Sequence, residues 1–431
     1  MSRSQTYLRG LAYRLLPTLA LIAALVSAQP AQTIQRTRPE NVGLSAERLS
    51  RLSAVLDGYV RDNALAGGVA MVARRGKVAY SHVFGYRDRE ARSPMREDTI
   101  FRIASQTKLI TSVGVMMLQE EGRLLTSDPV GKYIPEFNET TVAVAKADGG
   151  YDVVKATRKI TIRDLLTHTA GIGYGSGPAK DKWEAAGITG FYTADLDEPI
   201  GETVRRMDAL PMDAQPGEKY VYGYANEILG VVIEQASGQD LDTFLRTRIF
   251  EPLAMKDTSF YLPENKADRL AAVYAAGSDG KITRAPETGR HLAQGAYVRG
   301  PRKSYAGGAG LISTAEDYLR FLLMLANGGE LNGKRILGRK SVELIAADHL
   351  RSIPFRDGQG FGFGVSVTKD VGARGVPSSV GEYGWGGAYH SIFWIDPKEQ
   401  LIVVYMSQLI PAGQIDDHGK LRSLVYQAIV D

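Results

Sequence analysis

Residues 101–122 read Phe-Arg-Ile-Ala-Ser-Gln-Thr-Lys-Leu-Ile-Thr-Ser-Val-Gly-Val-Met-Met-Leu-Gln-Glu-Glu-Gly. Leu109, Ile110, Val113, Met116, Met117 and Leu118 recur at helical spacing and Gly122 supplies a stop, so the pattern predicts a buried helix from Ala104 to Glu121. Ser105 and Lys108 stand three apart at its start, a spacing that puts them on one face about 5–6 Å apart. The lysine amine can therefore reach the serine hydroxyl. Free backbone N–H groups at a helix N-terminus also stabilise negative charge that develops there. This is a layout for a serine nucleophile with a lysine partner. Its plain structural alternative is a serine that caps a core helix beside a lysine that extends to solvent.

The same Ser-x-x-Lys spelling occurs at Ser278–Lys281 and Ser366–Lys369. Ser366 lies in the strand-like Gly-Phe-Gly-Val-Ser-Val-Thr-Lys, where positions three apart point to opposite faces. Ser278 lies in the turn-like Ala-Gly-Ser-Asp-Gly-Lys, which offers no rigid support. Only the copy at 105 has a scaffold. No serine sits in Gly-x-Ser-x-Gly, so a strand–turn–helix nucleophile elbow is unsupported. The six histidines include no His-Glu-x-x-His and no pair four apart, which argues against a metal enzyme. With no cysteine in the chain, thiolate catalysis, disulfides and Cys-ligated metals are excluded.

The whole chain has 431 residues, 44% hydrophobic and 23% charged, the balance of a globular protein. Its formal charge of +4 is spread without a basic, aromatic-studded stripe, so no nucleic-acid partner is expected. Arg3, Arg9 and Arg14 precede an apolar run from Leu15 to Val26 and a small-residue exit at Val26-Ser27-Ala28. Residues 1–28 thus read as a cleavable signal peptide, with an exported, periplasmic or secreted bacterial protein starting at Gln29 and no stable membrane insertion after cleavage.

Within 29–431 the periodicities predict a helix over Ser45–Asn63, a hairpin of Gly67–Ala73 and Val78–Tyr86 around Arg74-Arg75-Gly76-Lys77, and a helical middle with loops. They then predict strands at Phe361–Thr368, Tyr389–Ile395 and Leu401–Met406 and a last helix near Gly419–Val430. Both ends contribute strands and the middle does not. The expected architecture is one α/β domain: an antiparallel sheet from about 40–104 and 290–431, with a mostly helical part at about 105–289. The glycine-rich loops at 145–152 and 173–180 are expected to be mobile, the second over a pocket.

A lysine-assisted serine gains from a second group that shuttles the proton, and a phenol beside an amine suits that task. Tyr222 and Tyr224 compete for it in Gln215-Pro-Gly-Glu-Lys-Tyr-Val-Tyr-Gly-Tyr-Ala-Asn226-Glu-Ile-Leu-Gly230, just before a helix.

Five blocks in order, FRIASQTK at 101–108, LLTHTAGI at 165–172, the Pro-Gly…Leu-Gly block at 216–230, GGAGLISTAEDYLRFLLML at 307–325 and GWGGAYHSIFWIDPKEQL at 384–401, resemble the family VIII carboxylesterases. These are serine esterases akin to class C β-lactamases and penicillin-binding proteins. The resemblance implies the β-lactamase/transpeptidase-like fold, with the site between sheet and helical subdomain and no metal or organic cofactor. It implies Ser105 as acylated nucleophile, Lys108 as its proton-transfer partner and Tyr222 as general base. Tyr224-Ala225-Asn226 copies a β-lactamase triplet by letter but sits two residues late, which leaves Tyr224 and Asn226 as substrate-pocket residues. By the same resemblance the Ala388 N–H joins that of Ser105 in an oxyanion hole.

Where β-lactamases carry Lys-Thr-Gly, this chain carries Trp385-Gly386-Gly387, an apolar wall with room for substrate against the strand and no cation for a carboxylate. His390 stands close by as a further pocket residue. The expected activity is hydrolysis of short- to medium-chain acyl esters of small molecules, favouring uncharged ones. A β-lactamase or D,D-peptidase, or an acyltransferase, is the alternative.

Overall fold

The computed structural model describes residues 33–431; the expected signal peptide, 1–28, lies outside the described residues. The order of strands begins with a hairpin of β1 (Gly67–Arg74) and β2 (Lys77–Asp88). Its two-residue turn, Arg75-Gly76, has φ of 52° and 75°, the doubly left-handed turn whose twist matches antiparallel strands. After the two-residue β3 (Ser93–Pro94) the chain leaves the sheet. It returns as β4 (Gln359–Phe361), β5 (Ser366–Thr368), β6 (Tyr383–Gly387), β7 (Ser391–Asp396) and β8 (Leu401–Met406).

The eight strands run β4-β5-β6-β7-β8-β1-β2-β3, antiparallel throughout. The centre of the sheet joins the two ends of the sequence: Val69 faces Met406 and Arg74 faces Leu401. Alternation along these strands sorts their side chains to two cores. Met71, Ile402 and Val404 enter the large one, shared with the helical part. Val72, Leu401 and Val403 enter the smaller one under α1 (Ala46–Arg61) and the C-terminal helix (Asp417–Tyr426). Because both faces are covered, β1 and β8 are buried along their whole length, which is why they read as continuous apolar runs.

The helix predicted from 104 exists as a 3-10 turn, Ala104–Gln106, running into α2 (Thr107–Glu120), and Gly122 adopts φ 71° just past its end. Every residue of α2 from Thr107 to Leu118 is buried. Its main partner is α3 (Ala225–Ser237), where a Cβ on Gly114 would stand 3.1 Å from Ile233. Helix α4 (Ala315–Ala326) packs between this layer and the sheet, Tyr318 meeting Phe393 of β7 with ring centroids 5.2 Å apart.

Three expectations need correction. The strand predicted over 361–368 is two strands, β4 and β5, folded back at Gly362–Val365, where Gly364 takes φ 83°. The strand predicted from Tyr389 begins at Ser391, because Tyr389 and His390 form the tight turn before it. The middle, expected to hold helices and loops alone, also holds two small hairpins outside the sheet, Thr141–Ala145 with Tyr151–Lys155, whose tip is the loop predicted at 145–152, and Tyr274–Ala276 with Ile282–Arg284. Among the described residues no helix is long and apolar enough to cross a membrane.

Candidate active site

Ser105 sits in the 3-10 turn, immediately after Ala104, whose φ of 41° is left-handed. An L-residue in that region stores strain of order 1–3 kcal/mol unless its surroundings hold it. Ala104 is fully buried and packed against Val273, Ala285 and Tyr389, which hold the kink that turns Ser105 toward the cavity. Ser105 and Lys108 are both buried, and Lys108 Nζ donates to Ser105 Oγ at 3.2 Å. The amine also donates to Tyr174 OH at 3.1 Å and to the Gly308 carbonyl at 2.8 Å. The solvent-pointing alternative for Lys108 is therefore removed.

Tyr222 is half-buried beside this pair, its ring centroid 4.7 Å from Lys108 Nζ. Its hydroxyl accepts a hydrogen bond from Trp385 Nε1 at 3.2 Å. Main-chain contacts fix its place: the Val221 N–H donates to the His168 carbonyl at 2.8 Å, and a Cβ on Gly223 would lie 2.3 Å from the Ile172 carbonyl oxygen. Only glycine allows that approach. Backbone 168–174, with Tyr174 at its end, and backbone 221–224 are thus pressed together.

Strand β6 closes the other side. A Cβ on Gly387 would lie 2.4 Å from the Ile103 carbonyl oxygen, so the strand end rests on the segment that carries Ser105. Ala388 follows, exposed, at the start of the turn closed by the His390 N–H to the Gly387 carbonyl at 3.0 Å. Among the described residues the N–H groups of Ser105 and Ala388 find no acceptor. Ser105, Tyr222, Trp385, Gly386, Gly387, Ala388 and His390 all line one cavity of about 460 Å³.

The other two predicted pocket residues are elsewhere. Tyr224 is buried behind Tyr174, its ring 4.9 Å from that ring and parallel to Trp183 at 5.9 Å, with its hydroxyl donating to the Gly190 carbonyl at 2.6 Å. It props up Tyr174 and does not line the cavity. Asn226 is fully buried and donates to the Lys108 carbonyl at 3.3 Å, where it braces α2 out of the substrate's reach. The other Ser-x-x-Lys copies are not paired: Ser366 lines the same cavity, but its Oγ donates to the Gly384 carbonyl at 3.0 Å while Lys369 binds Asp348 at 2.9 Å, and Ser278 lies in a turn.

Tyr174, Glu227, His168 and Arg356 carry no signal that the sequence alone displays. Burial, with the Glu227 carboxylate and neighbouring phenols, pushes the Tyr174 phenol well above its ordinary range, so it keeps its proton. Glu227 is itself fully buried, and its carboxyl oxygens have no hydrogen-bond partner among the described residues. Burial raises its pKa and the Lys108 charge opposes the rise. His168 is fully buried 4.7 Å from the Tyr222 ring; burial, then the Lys108 charge, lowers its pKa well below the usual histidine range. It is neutral, and its ring packs tilted at 49° against that of Tyr222.

Behind Ala388, His390 Nε2 meets Asp417 Oδ1 at 2.8 Å, His418 stacks on His390 at 4.0 Å, and Tyr405 OH donates to Asp417 Oδ2 at 2.7 Å. The candidate ligand atoms of His390, Asp417 and His418 lie within 4.8 Å of one another. Both carboxylate oxygens are already engaged, so the group reads as a clamp on the turn that carries Ala388.

The sequence profile of the beta-lactamase family matches residues 52–424. The chain belongs to the beta-lactamase family. It is 34% identical over 389 residues to esterase EstB of Burkholderia gladioli, covering 86% of this chain and 92% of that one. It is also 25% identical over 442 residues to a putative D-alanyl-D-alanine carboxypeptidase of Escherichia coli K12, covering 96% of each. Among solved structures, EstCE1, a hydrolase with promiscuous acyltransferase activity, superposes with a TM-score of 0.73 at 27% identity over 88% of this chain and 99% of its own. The fold is the β-lactamase/transpeptidase-like one, and the resemblance to the family VIII esterases within it holds.

Proposed function

We propose that this protein is a serine carboxylesterase that works through an acyl-enzyme on Ser105. One observation carries the reading: a buried lysine amine 3.2 Å from a serine hydroxyl, in a cavity that also holds a phenol and two free N–H groups. Esterase EstB and the hydrolase EstCE1, both similar along most of their length, support the ester as substrate.

Ser105 Oγ attacks the ester carbonyl carbon and gives its proton to the Tyr222–Lys108 pair. The carbonyl oxygen becomes an oxyanion held by the N–H groups of Ser105 and Ala388, a pair of donors of the kind worth about 10²–10³-fold each. The carbon–oxygen bond to the alcohol breaks as that proton returns to the departing oxygen. Water then attacks the acyl-serine, the pair takes its proton, and Oγ recovers it as the acid leaves. Short- to medium-chain acyl groups fit a cavity of about 460 Å³ with Trp385 as its apolar wall.

The test is hydrolysis of 4-nitrophenyl acetate, butyrate and octanoate by wild type, Ser105→Ala and Lys108→Ala, with mass spectrometry of the acyl adduct on the peptide that holds Ser105. Undiminished turnover by Ser105→Ala removes the reading. Turnover of nitrocefin faster than any ester would make the protein a lactam hydrolase instead. Export is part of the proposal, and N-terminal sequencing of the secreted protein should begin at Gln29.

A further inference from the structure

The cavity that holds Ser105 contains three guanidinium groups, Arg356, Arg374 and Arg422, and one carboxylate, Glu382. Glu382 is spent: its two oxygens bind Arg374 Nη1 and Arg422 Nη1, each at 2.7 Å. His390 is tied to Asp417 behind the wall. Arg356 remains. It is exposed, and among the described residues it meets no carboxylate; Asp357, next in the chain, makes no ion pair with it. What holds it is aromatic: its guanidinium carbon lies 5.0 Å from the Trp385 ring centroid and 5.1 Å from that of Phe355. Trp385 in turn donates to Tyr222 OH at 3.2 Å, so the cation stands one side chain away from the catalytic phenol. Its charge reaches the aromatic wall, where it opposes the burial that raises the Tyr220 phenol.

A guanidinium held by rings and by no hydrogen-bond acceptor among the described residues has its N–H groups to offer, and those match the two oxygens of a carboxylate. A net positive, partly enclosed cavity also concentrates anions. The expectation of a preference for uncharged esters rested on the absence of a lysine beside Trp385. Arg356 supplies a cation at that wall from the loop before β4. We propose that Arg356 is a specificity-determining residue that selects esters carrying a carboxylate.

The proposal rests on the esterase reading. A carboxylate could reach Arg356 from the acyl chain or from the alcohol, so two substrate pairs are compared. 4-Nitrophenyl butyrate against mono(4-nitrophenyl) glutarate places the charge on the acyl side. Methyl 4-(butanoyloxy)benzoate against 4-(butanoyloxy)benzoate places it on the alcohol side. The readout is the anionic-to-neutral ratio of kcat/KM in wild type, Arg356→Gln and Arg356→Glu. In at least one pair this ratio should fall about tenfold in Arg356→Gln and further in Arg356→Glu, and in wild type it should fall as ionic strength rises. Ratios that agree within twofold across the three proteins in both pairs overturn the proposal.

Should the variants not fold, inhibition of wild type by 4-hydroxybenzoate against methyl 4-hydroxybenzoate decides the same question: stronger, salt-sensitive inhibition by the anion supports the role of Arg356, and equal, salt-independent inhibition refutes it. If Ser105→Ala still turns over the neutral esters, the esterase reading has failed. If Ser105→Ala is dead and the ratios do not move, only the role of Arg356 has.

Discussion

Two phenols flank Lys108, and the structure makes them unequal. Tyr174 OH accepts one of the three hydrogen bonds from the buried amine, at 3.1 Å, and its surroundings keep it protonated. Tyr222 OH accepts from Trp385 and opens on the cavity that holds Ser105. Tyr174→Phe removes one acceptor and leaves the contacts to Ser105 and Gly308. A hydrogen bond to a charged group is worth about 1.5–3 kcal/mol, or about 10–100-fold in rate if it is lost wholly in the transition state. Tyr222→Phe removes the group proposed to move the proton, for which general-base losses run about 10²–10⁴-fold. The expected order is a loss of at least about 10³-fold for Tyr222→Phe and no more than about 10²-fold for Tyr174→Phe. Tyr224→Phe, which loses only the bond to Gly190, should stay within about tenfold. The assay is kcat and KM on 4-nitrophenyl butyrate, with thermal melts to confirm that each variant folds. If Tyr174→Phe is dead and Tyr222→Phe stays within tenfold of wild type, the proton passes through the other phenol and the assignment is refuted.

Gly387→Ala should cut kcat about 10²-fold by lifting the strand end off the Ile103 carbonyl and moving the Ala388 N–H; kinetics with unchanged kcat would show that the strand yields without cost. Glu227 has a raised pKa in the folded protein, so its neutral form contributes stability at low pH that is lost as pH rises through that value. Glu227→Gln should therefore melt higher than wild type at pH 8, with a smaller difference at pH 4; parallel melting curves across that span refute the buried-acid account. Burial and the His390 charge lower the His418 pKa from 6.5 to about 4, so its neutral form contributes stability above 6.5 that is lost as pH falls toward 4. His418→Gln should flatten the fall in melting temperature between pH 6.5 and 4, and an unaltered slope would assign that fall to other groups.

What the sequence disclosed depended on whether the signal was periodic or local. The β1–β2 hairpin and β8 were legible because their apolar runs are bounded by turn residues, Arg75-Gly76 and the charged Pro397–Gln400 stretch. Ser105 and Lys108 were legible because three-residue spacing on a helix has one geometric meaning. The hairpin that flanks the 145–152 loop was missed because each of its strands has only five residues, too short a run to separate from loop by period. Tyr224 was placed on the wall by its letters; which way a phenol faces depends on the stacked Trp183, 41 positions earlier and invisible as a local pattern. Tyr174 and Arg356 escaped for a like reason. Each sits in a loop with no period to read, and each matters only because a distant residue, Lys108 or Trp385, meets it in space.

The pairing of β1 with β8 has a consequence for how the molecule comes into being. Strands 67–74 and 401–406 are neighbours inside the sheet, with partners on both sides, so the sheet cannot close until nearly all of the polypeptide is available. Contacts of such long sequence separation slow folding. A nascent chain cut short before residue 401 would carry the serine and the lysine but not β8, the strand that joins β1 to the rest of the sheet. Catalytic competence should arrive in one step, with the last strand, and fragments left by stalled synthesis or early proteolysis should be inert.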